Sequence, residues 1–256
     1  MNIDVLQNIK PEHIFNDPYP HIYIENALPD DVYAELEKEF PVELIKNNTE
    51  LLEGHTHRYF ANDVLNKPKF EVAKIWEDFF NYHTSQEYYN KIISIFPDAF
   101  APTFKDRQTS IRWSGENTPM VTDTQFVVHR PHDTTTRTIH LDNPIEIYAG
   151  LFYLRQPEDN STGGEFLIYK TNPIKTVYEK SGRELLAEEP KELVKTIPYK
   201  ANSFVMFVNS NKAAHGVSPR SNATHDRLSI NIIAEGVRIK GQPNPRVFGV
   251  DQVPRK

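Results

Sequence analysis

The chain predicts a mainly β core carried on helices that come first in the sequence, and two observations predict it. Up to about residue 96, apolar side chains recur every three or four positions, the period of a helix packed along one side. Beyond residue 100 the apolar runs become short, rich in β-branched and aromatic residues and bounded by turn residues, which is the pattern of strands. Helices followed by strands fit helices packed against one face of a largely antiparallel β-structure. The chain divides on this reading into a helical support region, residues 1–100, packed on a β core, residues 101–256, within one integrated domain.

The elements follow in order. His21–Glu25 reads as a short strand, and Asn26–Asp31 as a turn that opens a helix. Val32, Leu36 and Phe40 recur every four residues with Glu35, Glu37, Lys38 and Glu39 between them, an amphipathic helix that Pro41 stops. Residues 42–67 are mixed and polar. A second helix spans Phe70 to about Tyr82, with Val72, Ile75, Trp76 and Phe79 on its apolar side. The run Thr84-Ser-Gln-Glu87 offers a capping box for a third helix through Ile92, Ile93 and Phe96, ended by Pro97. Strands are expected near Ser110–Trp113, Gln125–Arg130, Ile145–Leu154, Glu165–Lys170, Leu193–Ile197, Ser203–Val208 and Arg227–Ala234. Asn160–Gly164 is a turn, because two glycines admit positive φ. Residues 171–192 are polar, with a possible helix near Arg183–Glu188. A loop that long between strands suggests a functional lid. The tail from Gly241 is Pro-rich and expected to be extended.

Composition narrows the function. Of the 256 residues, 29 are Lys or Arg and 35 Asp or Glu, a net charge of -6, which argues against a general nucleic-acid binder needing a basic face for phosphates. There is no cysteine, so disulfides, thiol nucleophiles and Cys-ligated zinc are excluded. No secretory signal pattern opens the sequence and no run of 18 apolar residues would span a membrane, so the cytoplasm is the simplest expectation.

The chemistry concentrates at His140-Leu-Asp142, with a distant histidine in Ala214-His-Gly-Val217 and Arg227-Leu-Ser229 beyond it. On an extended backbone, side chains two apart point the same way, so His140 and Asp142 can serve one metal and His215 can approach from another strand. Two imidazoles and one carboxylate with open positions suit non-heme Fe(II). Alone, the H-x-D pattern is common. His55-Thr-His57 and His129-Arg-Pro-His132 are rival pairs, each lacking a carboxylate at i+2, and no H-E-x-x-H helix is present for a zinc hydrolase.

The surrounding residues carry a resemblance. His140-Leu-Asp-Asn-Pro144 is followed by Gly150-Leu-Phe-Tyr-Leu154, Gly163-Gly-Glu165, Asn202-Ser-Phe-Val-Met-Phe207 and His215-Gly-Val217, and the opening Ile22–Asp30 precedes the first helix. Over roughly residues 105–236 this resembles the Fe(II)/2-oxoglutarate-dependent dioxygenases, specifically their prolyl-hydroxylase-like branch. The resemblance implies a double-stranded β-helix (jelly roll) buttressed by helices. It implies iron ligation by His140, Asp142 and His215, with 2-oxoglutarate and O2 as co-substrates. Arg227 would pair with the distal carboxylate of 2-oxoglutarate, since a planar guanidinium grips a carboxylate bidentately. Ser229 shares its face, Tyr153 matches a phenol that assists the same carboxylate, and Arg220 is the rival arginine. Asp142 is an intact carboxylate ligand, whereas halogenating relatives have a small residue there, so hydroxylation is expected.

The substrate is less determined. Arg112, Gln125, Arg130 and Arg137 come from segments expected to line or rim the mouth, and would suit an anionic group such as an amino-acid carboxylate. A free amino acid, another small metabolite and a short peptidyl or prolyl substrate all compete, and the oligomeric state is open. Two further readings stand beside the enzyme: a non-catalytic jelly-roll or cupin-type binding protein, and a zinc-dependent cupin enzyme. The first needs no intact triad, and the second needs no Arg227.

Overall fold

The structure is a computed structural model that describes residues 2–52, 54–100, 104–133, 137–143, 145–172 and 191–236. A 3-10 turn at Pro11–His13 leads into β1 (Ile14–Phe15) and β2 (His21–Glu25). Then come α1 (Asp30–Lys38), α2 (Val42–Asn48), β3 (Thr56–Phe60), α3 (Ala61–Leu65), α4 (Lys74–His83) and α5 (Gln86–Ile95). The second half is β4 (Thr109–Ile111), β5 (Met120–His129), β6 (Glu146–Tyr153), β7 (Phe166–Thr171), β8 (Lys191–Ile197), β9 (Ser203–Val208), β10 (His215–Val217) and β11 (Arg227–Gly236).

Eight strands form one sheet in the order β1-β2-β9-β6-β11-β5-β3, with β4 running parallel to the start of β5 beside β3. A smaller antiparallel sheet has the order β10-β7-β8. Strands β2 and β3, both from the first hundred residues, belong to the large sheet, so that region supplies sheet as well as helix.

Side-chain alternation gives the large sheet two apolar faces. Phe126 and Val128, Phe152, Phe204 and Met206, Ile230 and Ile232 point to the helices and join Leu36, Trp76, Phe79, Phe80, Tyr88 and Ile92 in the main core. Aromatic packing anchors it, with Trp76 meeting Phe126 at 4.8 Å and Phe40 meeting Trp76 at 5.5 Å between ring centroids. Each such buried ring contributes about 2 kcal/mol of transfer free energy. On the opposite face Ala149, Tyr153, Val205, Phe207 and Ile233 meet Phe166, Ile168 and Ile197 of the small sheet. Strand β9 is buried at all six positions because both of its faces are covered.

Several expected boundaries shift. The capping site of α5 is Ser85, whose hydroxyl accepts from the backbone N–H of Tyr88. The Thr84 hydroxyl instead donates to Phe80 O and closes the preceding helix. Helix α4 starts at Lys74, later than Phe70, whose ring stacks on Tyr59 at 4.3 Å. The polar stretch 42–67 holds two short helices and β3, whose strand character comes from pairing with β5. Gly163 and Gly164 take the expected positive φ, +84° and +77°, but residues 160–164 form no turn: Thr162 bridges to Ser221, and the turn falls earlier, at 157–158. A Cβ at Gly163 would lie 1.8 Å from Pro219 O, so only glycine fits. The expected lid helix at Arg183–Glu188 and the extended tail from Gly241 lie outside the described residues. Among the described residues no helix is long and apolar enough to cross a membrane.

Candidate functional site

Between the two sheets lies a cavity of about 350 Å³. His215 begins β10 and pairs across from Ile168, so its ring enters the space between the sheets. It stacks on Phe166 at 5.2 Å and against Phe207 at 4.3 Å. His140 is held to it by a single two-way bridge, with N–H···O distances of 2.9 and 3.0 Å. The residues that follow are irregular, so the H-x-D pair sits on a bridge rather than within a ladder. Alternation survives because Leu141 packs into a small apolar cluster with Ala214, leaving His140 and Asp142 on the other side.

The three side chains converge. His140 Nε2 is 3.5 Å from Asp142 Oδ1, His215 Nε2 is 3.7 Å from Asp142 Oδ2, and one donor atom from each lies within 4.8 Å of the others. Metal–ligand bonds of about 2.1 Å at right angles place donors roughly 3 Å apart, close to these values. The proton position also fits. His140 Nδ1 donates to Thr138 O at 2.7 Å and His215 Nδ1 to Ala213 O at 2.9 Å, which leaves both Nε2 lone pairs toward the common point. Burial, then the neighbouring His140, pushes the His215 pKa down to about 3, so its imidazole is neutral, the metal-binding form. Among the described residues this is the one His/Asp/Glu cluster with such geometry. Three of the four rival histidines are engaged elsewhere, His57 with Thr49 Oγ1 and Arg130 and His55 stacked on His132, while His129 lines the cavity outside the cluster.

Strand register builds the second half of the site. Arg227 pairs with His129, and Ser229 lies between Val127 and Tyr153, all on the cavity side of the sheet. The Arg227 guanidinium is buried between two phenol rings, 5.0 Å from the Tyr153 centroid and 4.8 Å from that of Tyr199. Its one described hydrogen bond is a long one, 3.4 Å, to Gly164 O. Arg227 Nε, Ser229 Oγ and the Tyr153 hydroxyl are all sealed from solvent without hydrogen-bond partners. Buried polar atoms left in this state are costly, and one carboxylate would satisfy such a group. Arg220, the rival, is committed: its Nη2 contacts Asp159 at 3.4 Å, Ser161 Oγ at 3.1 Å and His225 O at 3.0 Å.

Of the expected substrate residues, Arg112, Gln125 and Arg137 line the cavity. Arg112 is paired with Glu235 at 3.3 Å and lies 3.7 Å from Asp123. Arg130 is a correction: it follows the last residue of β5, is exposed, and donates to His57 Nε2 at 3.1 Å away from the cavity. Several lining residues carried no signal in the sequence. Arg58 and Thr56 arrive on β3 from a stretch without pattern, and Tyr199, which packs on the Arg227 guanidinium, comes from a loop. His129 lies near both Arg58 and Arg227, and burial followed by these charges holds it neutral.

Comparison with known proteins fits this site. Residues 124–234, which include all three clustered side chains and Arg227, match the model of the 2OG-Fe(II) oxygenase superfamily. No curated protein sequence matches. Among solved structures, a prolyl 4-hydroxylase of Phytophthora capsici is 15% identical with a TM-score of 0.51, covering 86% of this chain and 59% of that one. A prolyl-4-hydroxylase of Pseudomonas putida is 15% identical with a TM-score of 0.46, covering 85% and 92%. A prolyl hydroxylase of Trichoplax adhaerens, in complex with a hypoxia inducible factor peptide, is 12% identical with a TM-score of 0.48, covering 84% and 83%. Two imidazoles and one carboxylate converging on one point form a ligand set that suits non-heme Fe(II). The matched stretch thus resembles the 2OG-Fe(II) oxygenase superfamily, and the His140, Asp142 and His215 cluster lies inside it.

Proposed function

We propose that the chain hydroxylates an unactivated C–H bond of a small substrate (an amino acid, another small metabolite or a prolyl residue) and releases succinate and CO2. The observation that carries the reading is that the His140, Asp142 and His215 cluster shares one cavity with a buried Arg227 that has no acidic partner among the described residues. His140, Asp142 and His215 hold the iron. Arg227, assisted by Ser229 and Tyr153, holds the distal carboxylate of 2-oxoglutarate. The bound metal supplies O2 activation coupled to decarboxylation of the keto acid. The protein holds the two imidazoles by their Nδ1–H bonds, and Phe166 and Phe207 exclude water around His215. A cavity of about 350 Å³ is at the small end for ligand sites and favours a small or short peptidyl substrate.

We read the two facing sheets as the double-stranded β-helix of the prolyl-hydroxylase-like branch. Residues 1–100 support residues 101–256 within one domain. The test is turnover: purified protein with Fe(II) should convert 2-oxoglutarate to succinate, and His140→Ala should abolish it. Neither iron binding nor succinate with any candidate substrate would overturn the proposal.

A further inference from the structure

Two arginines on the cavity face of the large sheet share an unusual condition. Arg227 is one, and the other is Arg58, in the middle of β3. Register places Arg58 opposite Val127, which lies opposite Ser229, so its side chain enters the cavity from the far side of β5. Among the described residues its guanidinium makes one hydrogen bond, to the neutral Oε1 of Gln125 at 2.8 Å, and no carboxylate is in ion-pair contact with it. Of the other guanidiniums nearby, Arg112 is committed to Glu235, Arg220 to Asp159 and Arg130 to His57.

Gln125 is itself fixed, since its Nε2 donates to Asp123 Oδ2 at 2.9 Å, and Asp123 Oδ1 accepts from the backbone N–H of Ala61. The Arg58 fork is therefore oriented by a chain of hydrogen bonds, with most of its five donors left for the cavity. Burial depresses its pKa, and the charges bearing on it are Glu146, Arg137, Asp123 and the triad's Asp142. Arg227 is not in that set. The backbones of β3 and β11 are two strands apart, roughly 10 Å, so the two guanidiniums address different parts of the cavity.

We propose that Arg58 anchors a carboxylate on the substrate, with Gln125 as its positioning residue, so that the substrate class is a small molecule or peptide end bearing a free carboxyl group. This rests on the oxygenase reading above, in which Arg227 is taken by 2-oxoglutarate.

The test is binding, read by calorimetry on protein loaded with Mn(II), a metal that does not turn over, and 2-oxoglutarate. Three mixtures are titrated: free L-amino acids, N-acetyl-L-amino acids, and N-acetyl-L-amino acid amides. At least one of the two carboxylate mixtures should bind, and which one does so identifies whether the carboxyl belongs to a free or an acylated amino acid. The amides should bind at least 10-fold more weakly or not at all. Arg58→Gln should lose at least 10-fold in affinity for the binding mixture. Arg58→Lys, which keeps the charge but not the two-pronged fork, should also bind the mixture more weakly than the parent and more tightly than Arg58→Gln, and the melting temperatures of both variants check folding. The Kd for 2-oxoglutarate should move less than two-fold in both variants. Amides binding as well as acids, neither acid mixture binding, or both variants binding like the parent would each overturn the assignment of Arg58. Absence of 2-oxoglutarate binding by the parent protein would instead remove the oxygenase reading on which it stands.

Discussion

Arg227→Gln separates the proposed co-substrate role of Arg227 from a structural one. The guanidinium is 1% exposed, sits between the Tyr153 and Tyr199 rings, and has one weak bond, to Gly164 O at 3.4 Å, with no acidic partner. Its stabilising contacts in the free protein are thus few, while burial of its charge is unfavourable. Bound 2-oxoglutarate would change that by accepting a charge-assisted, two-pronged hydrogen bond. Bonds to charged groups contribute about 1.5–3 kcal/mol, so losing the pair should weaken 2-oxoglutarate about 10- to 100-fold. The assay pairs the Kd of 2-oxoglutarate on Mn(II)-loaded protein with the melting temperature of the free protein. The expected result is the large loss of affinity with no fall in melting temperature. A variant that binds 2-oxoglutarate within two-fold of the parent, or that melts many degrees lower without ligand, would refute the reasoning.

Arg220→Ala should behave in the opposite way. It removes one of the two arginines beside the buried Asp159 and leaves Arg155 at 3.6 Å, so the loss should be about 2 kcal/mol of unfolding free energy in denaturant titration. Asp142→Ala should abolish iron binding measured by metal analysis, because two imidazoles alone leave the cluster without its charged ligand. Metal removal by a chelator should stop succinate formation, and Fe(II) should restore it where Zn(II) does not. Stability should also fall with acid. Burial holds His83 at a pKa of about 4, with its Nδ1 donating to Phe79 O and its Nε2 accepting from Val5 N, a neutral arrangement. The unfolded chain binds a proton there below about 6.5 and the folded chain does not, so stability is full above about pH 6.5 and declines toward pH 4. His83→Gln should flatten that slope by about 1 kcal/mol per pH unit in urea titrations between pH 6.5 and 5.

Legibility in the sequence followed physical locality. Strand β9 was readable because five of its six residues are apolar, and the positive φ of Gly163 and Gly164 because glycine tolerates that backbone. The metal cluster was readable because His140 and Asp142 keep the i, i+2 alternation of extended chain even on a single bridge. By contrast β3 has no pattern of its own and exists through its ladder with β5, so Arg58 could not be placed. Arg130 was misplaced for the same reason: whether the chain leaves the sheet at residue 129 or 130 decides which side it faces, and that is set by where the partner strands end.

By itself the sequence determined the kinds of chemistry available: no thiol, one H-x-D pair, a later histidine, and an arginine opening a strand. Those are properties of short segments whose backbone geometry is dictated locally. Only the tertiary structure decided which charges are neutralised. Arg220 and Arg227 are equally basic and seven positions apart, yet one is closed off by Asp159 and the other is left facing the cavity. Ion pairing depends on through-space distance between segments far apart in the chain, and no spacing along the sequence encodes it.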